Sequence, residues 1–119
     1  MAIVINDTDK TYTLYTKNTM YQMKVDDLGT LIHNYYGEKM EYADLHYYVE
    51  CIDQPSFSPN PIASKKTKYP CYSYSHASQE ISFAGNGDYR LTSLAVRNAD
   101  GTLGCEPKFV SSKTEKGKY

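Results

Sequence analysis

Asp88 and Arg90 stand two residues apart with Tyr89 between them. On an extended segment both point to one face, where they can close a charge-assisted pair, an arrangement suited to tying chain together more than to holding substrate. His33, His46 and His76 fall in different stretches, without the i, i+4 spacing or the neighbouring thiols of a zinc site, and no metal is expected. Cys51, Cys71 and Cys105 form an odd set at wide spacing with no Cys-x-x-Cys pair, and Cys71 has no adjacent base to activate it. They are read as reduced thiols. No Ser-His-Asp, Cys-His or glycine-rich phosphate-cradling pattern is visible, so neither a catalytic residue nor a cofactor is expected. Asp53 opens a proline-studded loop, a place where a carboxylate ordinarily shapes a turn.

The elements that would position these groups are strands. Tyr21, Met23 and Val25 alternate with Gln22 and Lys24, which predicts a strand over 19–25 with one face buried. Asp26-Asp27-Leu28-Gly29-Thr30 has the Asx and glycine chemistry of a reversal, and 31–36 completes a hairpin. Upstream, 11–16 reads Thr-Tyr-Thr-Leu-Tyr-Thr, Lys17-Asn18 turns it into that hairpin, and 3–5 adds an edge strand. Residues 41–51 fit a short helix or turn, and 53–68 form a long loop, because its prolines and small polar residues resist regular hydrogen bonding. Farther on, 80–84 and 91–97 are predicted strands, with turns at 85–88 and 98–101. Pro107 places the run 103–111 at an edge or bulge. The polar tail 113–119 is expected to fray. Short strands joined by glycine and Asx turns, with little or no helix, predict an all-β antiparallel sandwich.

Composition narrows the partners. A chain of 119 residues holds one domain, and a formal net charge of -1 provides no field for nucleic acid or an anionic membrane. The basic run Lys65-Lys66-Thr67-Lys68 is balanced by acids elsewhere and reads as a solvated loop face. No stretch of about 18 apolar residues occurs and the start has no basic, apolar leader, so a cytoplasmic location is expected. Thirteen tyrosines, three phenylalanines and no tryptophan make the aromatic content amphipathic, fit for half-buried strands and for sugar rings.

Three groups of residues resemble one family. Lys17-Asn18-Thr19-Met20-Tyr21-Gln22-Met23-Lys24-Val25, with Gly29, Leu31, His33 and Tyr35-Tyr36-Gly37, is similar to the first hairpin of family 36 α-galactosidases. Asp53 ahead of Phe57-Ser58-Pro59-Asn60-Pro61 resembles a loop of those enzymes. Gln79-Glu80, then Gly85-Asn86-Gly87-Asp88-Tyr89-Arg90 and Val96-Arg97-Asn98-Ala99-Asp100-Gly101, resembles their Gly-x-x-Asp-Phe/Tyr-Arg segment, so the likeness covers nearly the whole chain.

The resemblance implies a β-supersandwich region, residues 1–119 being part of it, ahead of a (β/α)₈ barrel that performs retaining hydrolysis of terminal α-galactosides such as melibiose and raffinose. That chemistry takes two carboxylates about 5 Å apart. The family's nucleophile lies in a Lys-Trp-Asp motif, which a chain without tryptophan does not contain, and a barrel needs about 250 residues. The chain is therefore expected to be a fragment or truncated product that stops before the domain is complete and has no hydrolytic activity alone. The resemblance also implies that the Asp53 loop reaches a neighbouring subunit's active site, where the carboxylate accepts hydrogen bonds from sugar hydroxyls. It implies a homo-oligomer as well, a tetramer in full-length relatives. Unpaired sandwich edges predict a dimer or strand exchange in the chain alone.

Two functions compete. One is an accessory and assembly domain of an α-galactosidase. The other is a free-standing carbohydrate-binding module in which Tyr47, Tyr48, Tyr72 or Tyr74 would form a stacking platform. A self-contained small enzyme has no motif in its favour.

Overall fold

Thr11, Tyr12, Thr13, Leu14 and Tyr15 are residue types that fit a pleated surface, and they form a strand with Thr11 and Thr13 buried on one face. In the computed structural model, which describes residues 2–46, 73–75, 77–85 and 88–117, that strand is β2 (Thr11–Tyr15). It lies between β1 (Ala2–Asn6) and β3 (Thr19–Val25), with β4 (Leu31–Glu38) on the far side of β3. The order is β1-β2-β3-β4, antiparallel throughout. The all-β antiparallel class is borne out, and all four strands fall where the sequence placed them.

Local chemistry closes the turns. Thr16 Oγ1 accepts from the amides of Asn18 and Thr19, and the Thr16 amide donates to the Thr19 carbonyl at 2.9 Å. Between β3 and β4, Asp26 Oδ1 takes the amides of Leu28 (2.9 Å) and Thr30 (2.7 Å), and Gly29 sits at φ +78°, where a side chain would be strained.

One bulge shifts the β3–β4 register: Gln22 faces Tyr35, Met23 faces His33, and Asn34 is left over. Asn34 is buried and donates its amide to Gln22 Oε1 at 3.3 Å, so the extra residue is used as a polar contact. The outer edge of β4 is closed by Ser78–Glu80: the His33 amide donates to the Ser78 carbonyl (2.7 Å) and the Glu80 amide to the Leu31 carbonyl (3.0 Å). Buried next to this edge, Ile32 packs with Tyr74, Ala77 and Phe83, and Leu28 and Cys105 flank them. Tyr74 and Phe83 meet edge to face with centroids 5.1 Å apart.

Beyond β4 the expected strands over 80–84 and 91–97 are not formed. Only the single bridges Phe83↔Leu94 and Arg97↔Leu103 remain there, and 103–111 holds no strand. A few backbone bonds, such as that of the Leu94 amide to the Ser82 carbonyl (3.0 Å), share the place of a ladder with side chains: Ser82 Oγ donates to the Leu91 carbonyl (3.0 Å) and accepts the Ser93 amide (2.9 Å), while Asn98 Nδ2 donates to the Gly104 carbonyl (3.2 Å). The turn at Asn98–Gly101 does form, through the bonds of the Asn98 amide to the Thr102 carbonyl and of the Gly101 amide to the Asn98 carbonyl. Of the mixed stretch 41–51, residues 41–45 are irregular and His46 alone has helical character; the remainder lies outside the described residues. Among the described residues no helix is long and apolar enough to cross a membrane.

Candidate functional site

Asp53 and the whole of 47–72 lie outside the described residues, but the chain on either side, 42–46 and 73–75, is described, and both flanks are locked. On the entry side, residues 42–46 cross the buried face of the sheet as a strap. Gln22, fully buried on β3, spends half of its hydrogen-bonding capacity on the strap and half on the neighbouring strands. Its Nε2 donates to Thr13 Oγ1 (3.1 Å) and to the Ala43 carbonyl (2.8 Å). Its Oε1 accepts from the Leu45 amide (2.9 Å) and from Asn34. Thr11 Oγ1 and the Tyr42 hydroxyl share a bond of 2.6 Å, and Lys24 Nζ meets Asp44 Oδ2 at 2.6 Å. His46 Nδ1 lies 3.4 Å from Asn34 Oδ1, and burial together with the Lys24 charge lowers the His46 pKa against the opposing pull of Asp44. His46 is thereby favoured in its neutral form.

On the exit side, Tyr74 is 1% exposed and Ser73 is buried. The Tyr74 hydroxyl donates to Glu106 and receives Lys108 Nζ at 2.9 Å, and Lys108 in turn pairs with Glu106 at 2.6 Å. Burial and the bond to Glu106 raise the Tyr74 pKa, while Lys108 and Tyr74 together hold the Glu106 carboxyl below the usual range. The Tyr74 carbonyl is gripped twice, by Arg90 Nη2 (2.6 Å) and by Gln79 Nε2 (3.0 Å). Tyr74 therefore serves as an anchor, which corrects its place in a stacking platform; Tyr47, Tyr48 and Tyr72 lie outside the described residues.

Asp88 and Arg90 do pair, as their spacing predicted. The strand assumed for them is absent; the segment is irregular. Arg90 Nε reaches Asp88 Oδ1 and Nη2 reaches Oδ2, both at 2.9 Å, and Nη1 donates to the Ala77 carbonyl at 2.8 Å. Burial pushes the Asp88 carboxyl up, but the bonds from Arg90 and Gln79 outweigh it and hold the pKa below the ordinary value.

A third cluster was not anticipated. On the side of the sheet away from the strap, the Tyr21 hydroxyl donates to Glu80, His33 Nδ1 lies 3.3 Å from Glu80 Oε1, and the Tyr21 ring contacts those of His33 and Tyr36. Burial, then the hydrogen bond and charge of Glu80, push the Tyr21 phenol well above its ordinary value. Tyr21 and His33 were legible as strand residues, but nothing local could show that Glu80, 59 positions from Tyr21, would join them. His33 and His46 are far from forming a common ligand set, and among the described residues no three His, Cys, Asp or Glu side chains are grouped to hold a metal ion. His76, Cys51 and Cys71 lie outside the described residues; Cys105 is half-buried beside the Ile32 cluster.

The sequence model of the glycosyl hydrolase family 36 N-terminal domain matches residues 29–119. This chain belongs to that family. It is 40% identical over its whole length to the bifunctional alpha-galactosidase/sucrose kinase of Mediterraneibacter gnavus, and 30% identical over 117 residues to an alpha-galactosidase of Lactobacillus acidophilus. Among solved structures, the galactosidase domain of an alpha-galactosidase-sucrose kinase aligns with a TM-score of 0.82 at 39% identity, covering 92% of this chain and 15% of that one. A family 36 alpha-galactosidase of Geobacillus stearothermophilus aligns with a TM-score of 0.75 at 26% identity, covering 89% of this chain and 13% of its own. The family 36 chain spans 12% and 15% of the lengths of the two curated relatives, so it corresponds to their N-terminal region.

Proposed function

We propose that this chain is the accessory and assembly region of a cytoplasmic α-galactosidase that cleaves terminal α-galactosides such as melibiose and raffinose. The catalytic carboxylates come from outside these 119 residues. The observation that carries the reading is the anchoring of the chain on both sides of the segment that contains Asp53, with Leu45 and Tyr74 both buried and both flanks held by side chains. Fixed flanks are the usual means by which a scaffold positions binding residues between them. In this reading the enzyme is a homo-oligomer, and Asp53 accepts hydrogen bonds from sugar hydroxyls in a neighbouring subunit's active site.

The test is Asp53→Ala in the full-length enzyme, with kcat/KM for raffinose expected to fall about tenfold or more. Unchanged kinetics would remove the role of Asp53. The 119-residue chain is expected to release no chromophore from an aryl α-galactoside, and measurable turnover would place catalysis within it.

A further inference from the structure

A cleft between the β1–β2 turn, the β3–β4 turn and the chain at Phe109 takes no part in the anchoring described above. It measures about 540 Å³, a size in the range of roughly 300–1,000 Å³ common to small-molecule sites. Two rings wall it, Tyr12 from β2 and Phe109, tilted to each other with centroids 5.7 Å apart. Phe109 is fixed there by its amide, which donates to the Gly29 carbonyl at 2.8 Å.

Polar groups surround the rings. Asp7, Lys10 and Asp27 are exposed on the cleft wall. Lys10 holds a φ of 54°, a conformation that is uncommon for a side-chain-bearing residue and is found preferentially at functional sites. Asp26 lines the cleft too and is only 7% exposed; its Oδ1 is spent on the turn, while Oδ2 has no hydrogen-bond partner. A buried acceptor left unpaired is costly, and a donor delivered by a ligand would satisfy it.

Aromatic faces take the C–H face of a pyranose, carboxylates accept hydroxyl hydrogens, and an ammonium donates to ring or hydroxyl oxygens. Three carboxylates against one ammonium leave the lining net negative, which disfavours phosphate and sugar acids and leaves an uncharged polyol as the matching ligand. We infer that this cleft, lined by none of the residues that hold the 42–46 and 73–75 flanks, is a binding site for a neutral saccharide. Its position and charge follow from the cleft alone; the choice of an α-galactoside as probe rests on the proposed function.

The experiment is an amide NMR titration of the full chain with raffinose, repeated with glucuronate and with calcium, on the wild type, Phe109→Ala and Asp27→Asn. Saturable raffinose shifts are expected at Tyr12, Asp27 and Gly29, weakened about fivefold or more in Phe109→Ala. Asp27 is exposed in a turn, so Asp27→Asn serves as the second variant should Phe109→Ala fail to fold, and it too should weaken binding. Absent or non-saturable shifts at the cleft, shifts unaffected by either variant, or equal responses to glucuronate or calcium would each overturn the site. Raffinose shifts confined to the surroundings of Asp53 would also sink it, while leaving the proposed function intact. Failure of the proposed function would instead appear as turnover of an aryl α-galactoside by the chain alone, and failure of the Asp53 role as unchanged kinetics in the Asp53→Ala enzyme.

Discussion

Arg90 grips Asp88 through two parallel hydrogen bonds of 2.9 Å and with the rest of its guanidinium binds the carbonyls of Tyr74 and Ala77. One planar group thus ties an irregular segment to the chain at Tyr74 and Ala77. A lysine has a point charge with no fork to span these acceptors. Arg90→Lys is expected to cost about 1–3 kcal/mol, seen as a lower urea midpoint with an unchanged m-value; a midpoint equal to the wild type would show that the fork is dispensable.

Acid should loosen the same tie. Both Asp88 and Glu106 have folded pKa values below their ordinary ones. The unfolded chain therefore binds their protons at higher pH than the folded one. Their stabilisation is complete above the unfolded values, about 4, and is lost as pH falls through the depressed folded values. Thermal unfolding followed across this acidic window should show the loss, and Asp88→Asn should flatten it. An equally steep acid loss in Asp88→Asn would assign it to other carboxylates.

Gln22 has four partners on three separate stretches of chain, Thr13, Asn34, Ala43 and Leu45. Gln22→Leu keeps the volume but leaves the buried Leu45 amide without its bond and takes the donor from the Ala43 carbonyl. The expected destabilisation is about 2–4 kcal/mol. Protease cleavage just after the strap should quicken in parallel, and a variant as stable and as resistant as the wild type would contradict this account.

Two glycines with positive φ should respond differently to alanine. At Gly85, φ +106°, an added Cβ would come within 2.6 Å of the Gly104 Cα, whereas at Gly101, φ +86°, it meets open space. Gly101→Ala is expected to cost about 1 kcal/mol from backbone strain alone. Gly85→Ala should cost about 3 kcal/mol or more, since two backbones must part. Equal melting temperatures for the two variants would refute the close approach.

The sequence was sufficient for the four strands, their turns and the Asp88–Arg90 pair. Each depends on neighbours a few positions apart: alternation in Tyr21, Met23 and Val25, the Asx turn at Asp26, the two-residue turn after Thr16. Family membership was legible for the same reason, since its motifs are short runs of consecutive residues. The strands expected at 80–84 and 91–97 gave way to single bridges where Ser82 and Asn98 give their side chains to the backbone, a competition that alternation does not register. Tertiary structure alone decided that Tyr74 is an anchor, that Gln22 clamps a strap 21 and 23 positions away, and that Glu80 joins Tyr21 and His33. The physical reason is that a buried polar group must find partners wherever the folded chain places them, and no local pattern of residues encodes which distant atoms those are.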